Sequence, residues 1–439
     1  MEKWNQKKAA LHSLGCKVNS YETQAMRQSL ENAGYEIVDF AQKADVYVIN
    51  TCSVTNMADR KSRQMLHRAR KRNPSAIIVA AGCYVQTKTE EARLDDAVDI
   101  IIGNNKKQDL TEIIAAYEAD QSRNESVVEI SHRQPYENLC IQQTTDHTRA
   151  FVKVQDGCNQ FCSYCIIPYA RGRVRSRSFT DVLDEVKRLS ANGCKEIVLS
   201  GIHLSSYGID IGESLLRLIC EADKIKGIRR IRLGSLEPGI VTPEFVREIA
   251  GSEKICPHFH LSLQSGCDAT LKRMNRKYDT AQYYESCELL RRHFVHPAIT
   301  TDVITGFPGE TEEEFLTTKK FLKDVNFYEM HIFKYSKREG TRASLMPDQV
   351  PEQIKAARSE ELILLANEMS EEFRSYYNGK TVEVLMEEPM EKEGRRYFAG
   401  YTKEYVKVAL ETDKNLSNSF VKGKIAGRLD AASYLMVEF

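Results

Sequence analysis

The stretch QDGCNQFCSYC, Gln155–Cys165, follows directly on a short strand candidate, AFVKVQ (Ala150–Gln155). It sets Cys158, Cys162 and Cys165 at C-x3-C-x2-C spacing. Zinc and iron–sulfur sites usually take four protein ligands, and here there are three. Thiolates are soft ligands suited to iron–sulfur clusters. A cubane cluster held by three cysteines keeps one iron open for a substrate or cofactor. Two other readings fit the spacing. A zinc knuckle would need a fourth ligand, best placed at His147, and a C-x-x-C redox pair leaves Cys158 unexplained.

Working outward, strand candidates recur after Ala150: EIVLS, RIRLGS, FHLSLQ, TTDVIT and HIFKY. The helices between them are well punctuated. Val182, Val186 and Leu189 share one face before Gly193, Thr242–Pro243 opens another helix that Gly251 closes, and Thr311 with Glu314 forms a T-x-x-E capping box. Six strand-and-helix repeats predict a partial (β/α)6 barrel, in which the loops after strands carry the chemistry. In the first third, AALHSLG, VYVIN and IIVAAG alternate with helical stretches such as Ser20 to Ala33, closed by Gly34. That predicts an open parallel α/β sheet. The polar segment 118 to 146 separates the two. From about Gly379, TVEVLM, YVKVAL and SYLMVEF predict a small antiparallel barrel of OB-like type. The fold class is α/β multidomain, with expected domains 1–145, 146–378 and 379–439.

A second trio is dispersed. Cys16, Cys52 and Cys83 each sit just past a predicted parallel strand, on the edge where open α/β sheets place ligands. They could converge on one metal site or be three small buried hydrophobes. Cys140, Cys194, Cys220, Cys256, Cys267 and Cys287 show no ligand spacing, and core packing is expected for them.

At 439 residues, with 42% apolar and 28% charged residues, two or three soluble domains are expected. The chain holds no apolar run of eighteen, and its start has no signal-peptide apolar core, so a cytoplasmic location is expected. A reducing compartment turns clustered cysteines toward metal or catalysis. Net charge is zero, so a nucleic acid would be held by local patches. Two exist. RKSRQMLHRARKR (Arg60–Arg72) includes Arg60, Lys61 and Arg63. RGRVRSR places Arg171, Arg173, Arg175 and Arg177 two apart, on one face if extended. Both follow proposed cluster loops, which favours RNA phosphate contacts over a plain solvated face. Glu237 in GSLEP follows a strand and could bond a cofactor hydroxyl or amine, or lie in a surface turn. Gly201, Ser235 and Gln264, at the ends of neighbouring strand candidates, join it as candidate cofactor contacts.

With Tyr164 before its last cysteine, the C-x3-C-x2-C stretch resembles the radical S-adenosylmethionine signature. With the N-terminal trio and the small C-terminal barrel, the chain resembles the radical S-adenosylmethionine methylthiotransferases nearly end to end. SLGCKVNSYET (Ser13–Thr23) and NTCSVTNMADRKSRQ (Asn50–Gln64) look most like the branch acting on N6-threonylcarbamoyladenosine in tRNA. The isopentenyladenosine branch reads closer to YGCQMN, and the ribosomal-protein branch closer to SLGCPKN. YSKREGT (Tyr335–Thr341) resembles a family segment, Y-S-x-R-x-G-T.

The resemblance implies two 4Fe-4S clusters, one on Cys158, Cys162 and Cys165 and an auxiliary one on Cys16, Cys52 and Cys83. It implies that S-adenosylmethionine chelates the open iron of the first, with Tyr164 near its adenine, and is cleaved to a 5′-deoxyadenosyl radical. A second S-adenosylmethionine methylates a sulfur on the auxiliary cluster. The product is then 2-methylthio-N6-threonylcarbamoyladenosine at position 37, with no catalytic residue beyond the cluster ligands. The implied partners are the tRNA anticodon stem-loop, gripped partly by a C-terminal TRAM domain, an electron donor of the flavodoxin or ferredoxin type, and a sulfur source, with no membrane. The competing readings are isopentenyladenosine or a ribosomal-protein aspartate as target, a non-catalytic zinc-containing RNA-binding protein, and an iron–sulfur electron carrier.

Overall fold

Apolar runs form the centre of a six-stranded sheet in the first third, with short, more polar strands at its edges, in the order Glu36–Ile37, Lys8–Ser13, Val46–Thr51, Ile77–Gly82, Ile100–Ile102, Asn124–Ser126, and every pairing is parallel. The computed structural model describes residues 6–120, 124–141, 148–431 and 433–438. The expected boundary at 145/146 and His147 lie outside the described residues. Val46–Thr51 is buried along its whole length, as a strand covered on both faces must be. Chain order reverses between Lys8–Ser13 and Val46–Thr51, which makes the crevice between them a switch point for ligands. Cys16 and Cys52 follow these two strands.

The middle of the chain curls six parallel strands side by side: Arg149–Asp156, Glu196–Gly201, Arg230–Leu233, His258–His260, Ala298–Thr305 and Glu329–Lys334. Isolated bridges at Ile231–Ile255 and Leu236–Leu261 join the two halves. The expected strand FHLSLQ ladders only over His258–His260. Beyond it, side-chain hydroxyls take the backbone carbonyls instead: Tyr283 Oη donates to Leu261 O (2.8 Å) and Tyr278 Oη to Leu263 O (2.8 Å). Val182, Val186 and Leu189 are buried on one face. Thr242 caps its helix by accepting from Phe245 N, and Thr311 with Glu314 forms the capping box. The 24-residue helix Glu352–Ser375 packs against the last two strands through Leu362, Leu365 and Met369.

Five strands close the C-terminal barrel: Thr381–Lys392, Arg395–Tyr401, Lys407–Glu411, Phe420–Arg428 and Tyr434–Glu438. All pairs are antiparallel except Lys407–Glu411 with Tyr434–Glu438, which is parallel. Arg395–Tyr401 and Phe420–Arg428 escaped the reading of alternating apolar runs because glycines interrupt them. A Cβ on Gly400 would lie 2.1 Å from Leu385 O, so the close strand approach requires glycine there. Cys194, Cys256, Cys267 and Cys287 are core residues as expected, but Cys140 is exposed and Cys220 half-buried. Core packing therefore describes four of those six.

Both outer units dock on the middle barrel through buried cations. Arg230 donates to Tyr401 O and Glu383 O (2.8 Å each), and Arg232 to Lys403 O (2.9 Å). Arg149 lies over the rings of Tyr401 and Tyr405 and pairs with Glu387 at 3.0 Å. On the N-terminal side, the fully buried Glu22 of helix Lys17–Asn32 receives Lys153 (2.7 Å), Arg171 (2.8 Å) and Lys107 (2.8 Å). Removing one partner of a buried ion pair strands the other. Glu22→Gln is therefore expected to cost about 3–5 kcal/mol, read as an earlier denaturation midpoint. An unchanged midpoint would remove Glu22 from this role.

Candidate active site

The cysteine loop is built by close backbone contacts. Gly157 has φ +70°, and a Cβ there would lie 1.9 Å from Arg173 O, so only glycine lets the chain leave the strand at this point. Cys158 N then donates to Gly172 O (3.0 Å). Segment 273–275 pins the loop's far side: Ser163 N donates to Met274 O (3.0 Å), and Asn275 Nδ2 to Phe161 O (2.9 Å). Tyr164 packs edge-on to Phe307, whose ring also meets Tyr335 of YSKREGT.

One pocket gathers Cys158, Cys162 and Cys165 with Tyr164, Ser235, Glu237 and Gln264. Gly201 is not in its wall. It packs on Gln155, and its neighbour Ile202 reaches the pocket instead. Gln160, His203, Ser262 and Arg276 also line it and were not expected. His203 lies two residues after the candidate Gly201, so proximity in sequence could have found it; Arg276, far from any motif, gave no signal. Glu237 Oε2 lies 2.9 Å from His203 Nε2 and accepts from Gln160 Nε2 at 3.1 Å, while Oε1 lies 2.8 Å from Arg276 Nη2. Burial works against the Glu237 charge, but the His203 hydrogen bond and the Arg276 charge outweigh it and hold the carboxyl below its ordinary range. Arg276 Nη1 donates to Cys162 Sγ at 3.2 Å.

The dispersed trio lies on one sheet edge. Cys52 and Cys83 are buried and Cys16 is exposed. A Cβ on Gly15 would meet Cys52 Sγ at 2.7 Å, so the loop bearing Cys16 lies against Cys52. Asn104 Nδ2 stands 3.5 Å from Cys83 Sγ and donates to Ala170 O at 2.7 Å. That one side chain thus joins the trio to the short helix Ile167–Ala170 that follows Cys165. Among the described residues, no three His, Cys, Asp or Glu side chains already stand at metal-ligand separation. Burial pushes the thiols of Cys52 and Cys158 up to about 11 and that of Cys165 to about 12. They are neutral thiols at neutral pH unless a metal displaces the proton. Three soft donors beside the Arg276 cation suit an iron–sulfur cluster better than a hard cation.

The basic stretches divide. Arg60 and Lys61 are exposed on helix Asn56–Arg72, and Arg63 is half-buried, 3.7 Å from Glu91. Arg173 is exposed with its guanidinium 4.5 Å from the Phe161 ring centre, and Tyr169 is exposed beside that ring. Arg171, Arg175 and Arg177 are corrected: all three are buried. The segment is not an extended ribbon, since Gly172 turns the chain at φ +73°. Arg171 and Arg175 turn inward to Asp156, and Arg177 to Glu185, so no phosphate can reach them.

Residues 152–322 match the Radical SAM superfamily, and residues 8–103 match an uncharacterized protein family, UPF0004. The chain is 43% identical to the threonylcarbamoyladenosine tRNA methylthiotransferase MtaB of Bacillus subtilis, over 95% of this chain and 93% of that one. It is 37% identical to the tRNA-2-methylthio-N(6)-dimethylallyladenosine synthase of Acetivibrio thermocellus, over 94% and 88%. Its fold is similar to that of the radical S-adenosylmethionine methyltransferase TsrM of Kitasatospora setae, with TM-score 0.58 at 15% identity, covering 77% of this chain and 74% of that one. The loop, its pocket and the superfamily match define a radical S-adenosylmethionine enzyme, with the 4Fe-4S cluster and S-adenosylmethionine that this superfamily uses. More particularly, the chain belongs to the radical S-adenosylmethionine tRNA methylthiotransferases. The readings of a non-catalytic zinc protein and of an electron carrier are overturned by that membership. No helix among the described residues is long and apolar enough to cross a membrane.

The YSKREGT segment meets the N-terminal sheet beside Cys52. Arg338, nearly buried, donates to Asp59 Oδ2 (2.6 Å), Asn56 Oδ1 (2.8 Å) and Ser53 Oγ (2.8 Å). Arg338→Ala removes the cation that pairs with Asp59, leaving it the Ser53 hydroxyl at 2.7 Å, and is expected to cost about 3–5 kcal/mol and to speed amide exchange over residues 53–59. Unchanged exchange would count against this contact.

Proposed function

We propose that this enzyme methylthiolates C2 of N6-threonylcarbamoyladenosine at position 37 of tRNA, using two 4Fe-4S clusters and two molecules of S-adenosylmethionine. The observation that carries the reading is the placement of two three-cysteine sets across one buried contact, bridged by Asn104. Cys158, Cys162 and Cys165 would hold one cluster and Cys16, Cys52 and Cys83 the other. The first, with S-adenosylmethionine bound, supplies one-electron chemistry able to take hydrogen from an inert C–H bond. Around it, Glu237 offers an acceptor for an ammonium or hydroxyl, and Ser235 and Gln264 offer further polar contacts. Tyr164 gives a flat wall for a base. Ile167, Ile202 and Leu236 exclude water. Outside, Arg60, Lys61 and Arg173 can meet phosphates, and Phe161 with Tyr169 offers rings to unstacked bases. A flavodoxin- or ferredoxin-type donor and a sulfur source complete the reaction.

The threonylcarbamoyl substrate is supported by SLGCKVNSYET and by two relatives that are threonylcarbamoyladenosine tRNA methylthiotransferases, that of Bacillus subtilis at 43% identity and that of Aquifex aeolicus at 42%. The Acetivibrio relative keeps dimethylallyladenosine as a second reading. Mass spectrometry of tRNA nucleosides from cells with and without the gene separates the two. Loss of 2-methylthio-N6-threonylcarbamoyladenosine alone, restored by the intact gene and not by Cys158→Ala, is expected; loss of the dimethylallyl derivative instead would move the substrate. In vitro, Cys158→Ala should abolish 5′-deoxyadenosine release. Cys16→Ala should keep release but stop methylthiolation, and product from that variant would sink the auxiliary-cluster reading.

Lys422 and Lys424 are exposed on one face of Phe420–Arg428 in the small barrel. Replacing both by Glu should weaken tRNA binding and reduce the slope of log affinity against log salt by about two. An unaltered slope would take the barrel out of the RNA interface.

A further inference from the structure

Four cations meet two carboxylates where the N-terminal sheet docks on the middle barrel. Lys107, Lys153 and Arg171 surround Glu22; Lys153, Arg171 and Arg175 surround Asp156 at 2.6, 3.1 and 3.5 Å. All six side chains are at most 3% exposed. Nearby Glu137 is also buried, and burial raises its pKa toward the neutral form. The network therefore holds more positive than negative charge in a place where unbalanced charge is costly. Among the described residues, Arg171 Nε and Arg175 Nε find no hydrogen-bond acceptor.

The surplus points one way. Arg171 Nη2 donates to Asn19 Oδ1 at 2.6 Å, and that oxygen faces Cys16 Sγ at 3.9 Å. Lys107 Nζ donates to Asn104 Oδ1 at 2.6 Å, and Asn104 Nδ2 faces Cys83 Sγ at 3.5 Å. Two cations thus stand one amide away from two cysteines of the dispersed trio. Three thiolates outweigh the charge of a 4Fe-4S core, so a loaded site is anionic and becomes more so on reduction.

We propose that this buried network is the counter-charge of the Cys16, Cys52 and Cys83 site, and that Arg171 is a positioning residue that raises the reduction potential of the cluster held there. This rests on the reading that the trio binds a cluster. A fixed buried cation stabilises the reduced, more negative form, and the low dielectric of the contact preserves the effect.

The test uses the full chain with Cys158, Cys162 and Cys165 replaced by Ala, reconstituted with iron and sulfide and titrated by EPR-monitored reduction. Arg171→Met is expected to disfavour the reduced form about tenfold, a shift of about 59 mV to the negative for one electron. Arg171→Lys should recover most of that shift. Asn19→Asp puts a negative charge beside Cys16 while still pairing with Arg171. It should move the potential the same way, and it serves if Arg171→Met fails to fold. Iron bound with an unmoved potential overturns the counter-charge. A parent that binds no iron overturns the auxiliary-cluster reading, and this inference with it.

Discussion

Two cysteine sets on different folds keep a fixed separation only if the contact between the folds is held, and here a buried carboxylate holds it. Glu22 lies on the helix that begins just after Cys16, and it grips Lys153 and Arg171, which flank the Cys158–Cys165 loop in sequence. An apolar contact of equal area would bury the two surfaces but could slide. Directional bonds to three cations cannot slide without stranding charge in a dry contact. Asn104 and Arg338 add two further ties, each ending within a few residues of an N-terminal cysteine.

The two folds contribute differently to this arrangement. The open sheet offers a crevice at its switch point, where parallel strand ends bring distant cysteines to one edge. The partial barrel instead places three cysteines in a single loop and surrounds them with polar groups from several other strand ends. Dispersed ligands on a sheet edge demand a correctly formed fold. Cysteines clustered in one loop are brought together by local turns, such as the one Gly157 permits.

That difference explains what was legible in the sequence. Cys158, Cys162 and Cys165 read at once because their spacing is local. The placing of Cys16, Cys52 and Cys83 on one sheet edge was legible because each follows a recognisable strand. Glu237, Ser235 and Gln264 read from strand ends, whereas Arg276 joins the pocket from a helix–loop junction that no periodicity marks. The arginines of RGRVRSR misled, since their partners Glu22, Asp156 and Glu185 are set by tertiary contact. A two-residue spacing defines a face only if the chain is extended, and Gly172 breaks it. The long helix Glu352–Ser375 and two glycine-bearing barrel strands went unread for lack of a clean apolar rhythm.

The seat of the C-terminal barrel has one more property. Arg230 and Arg232 donate to the backbone carbonyls of Glu383, Tyr401 and Lys403, with the Glu383 carboxylate at a longer 3.9 Å from Arg230. A carbonyl is present whatever residue carries it. Part of the clasp thus holds the barrel by its main-chain path, beside the grip of Arg149 on the side chains of Glu387, Tyr401 and Tyr405, and side chains that face away from this seat are free to be exchanged. A lineage could retune the charge and shape of that outer wall while the socket beneath stayed the same.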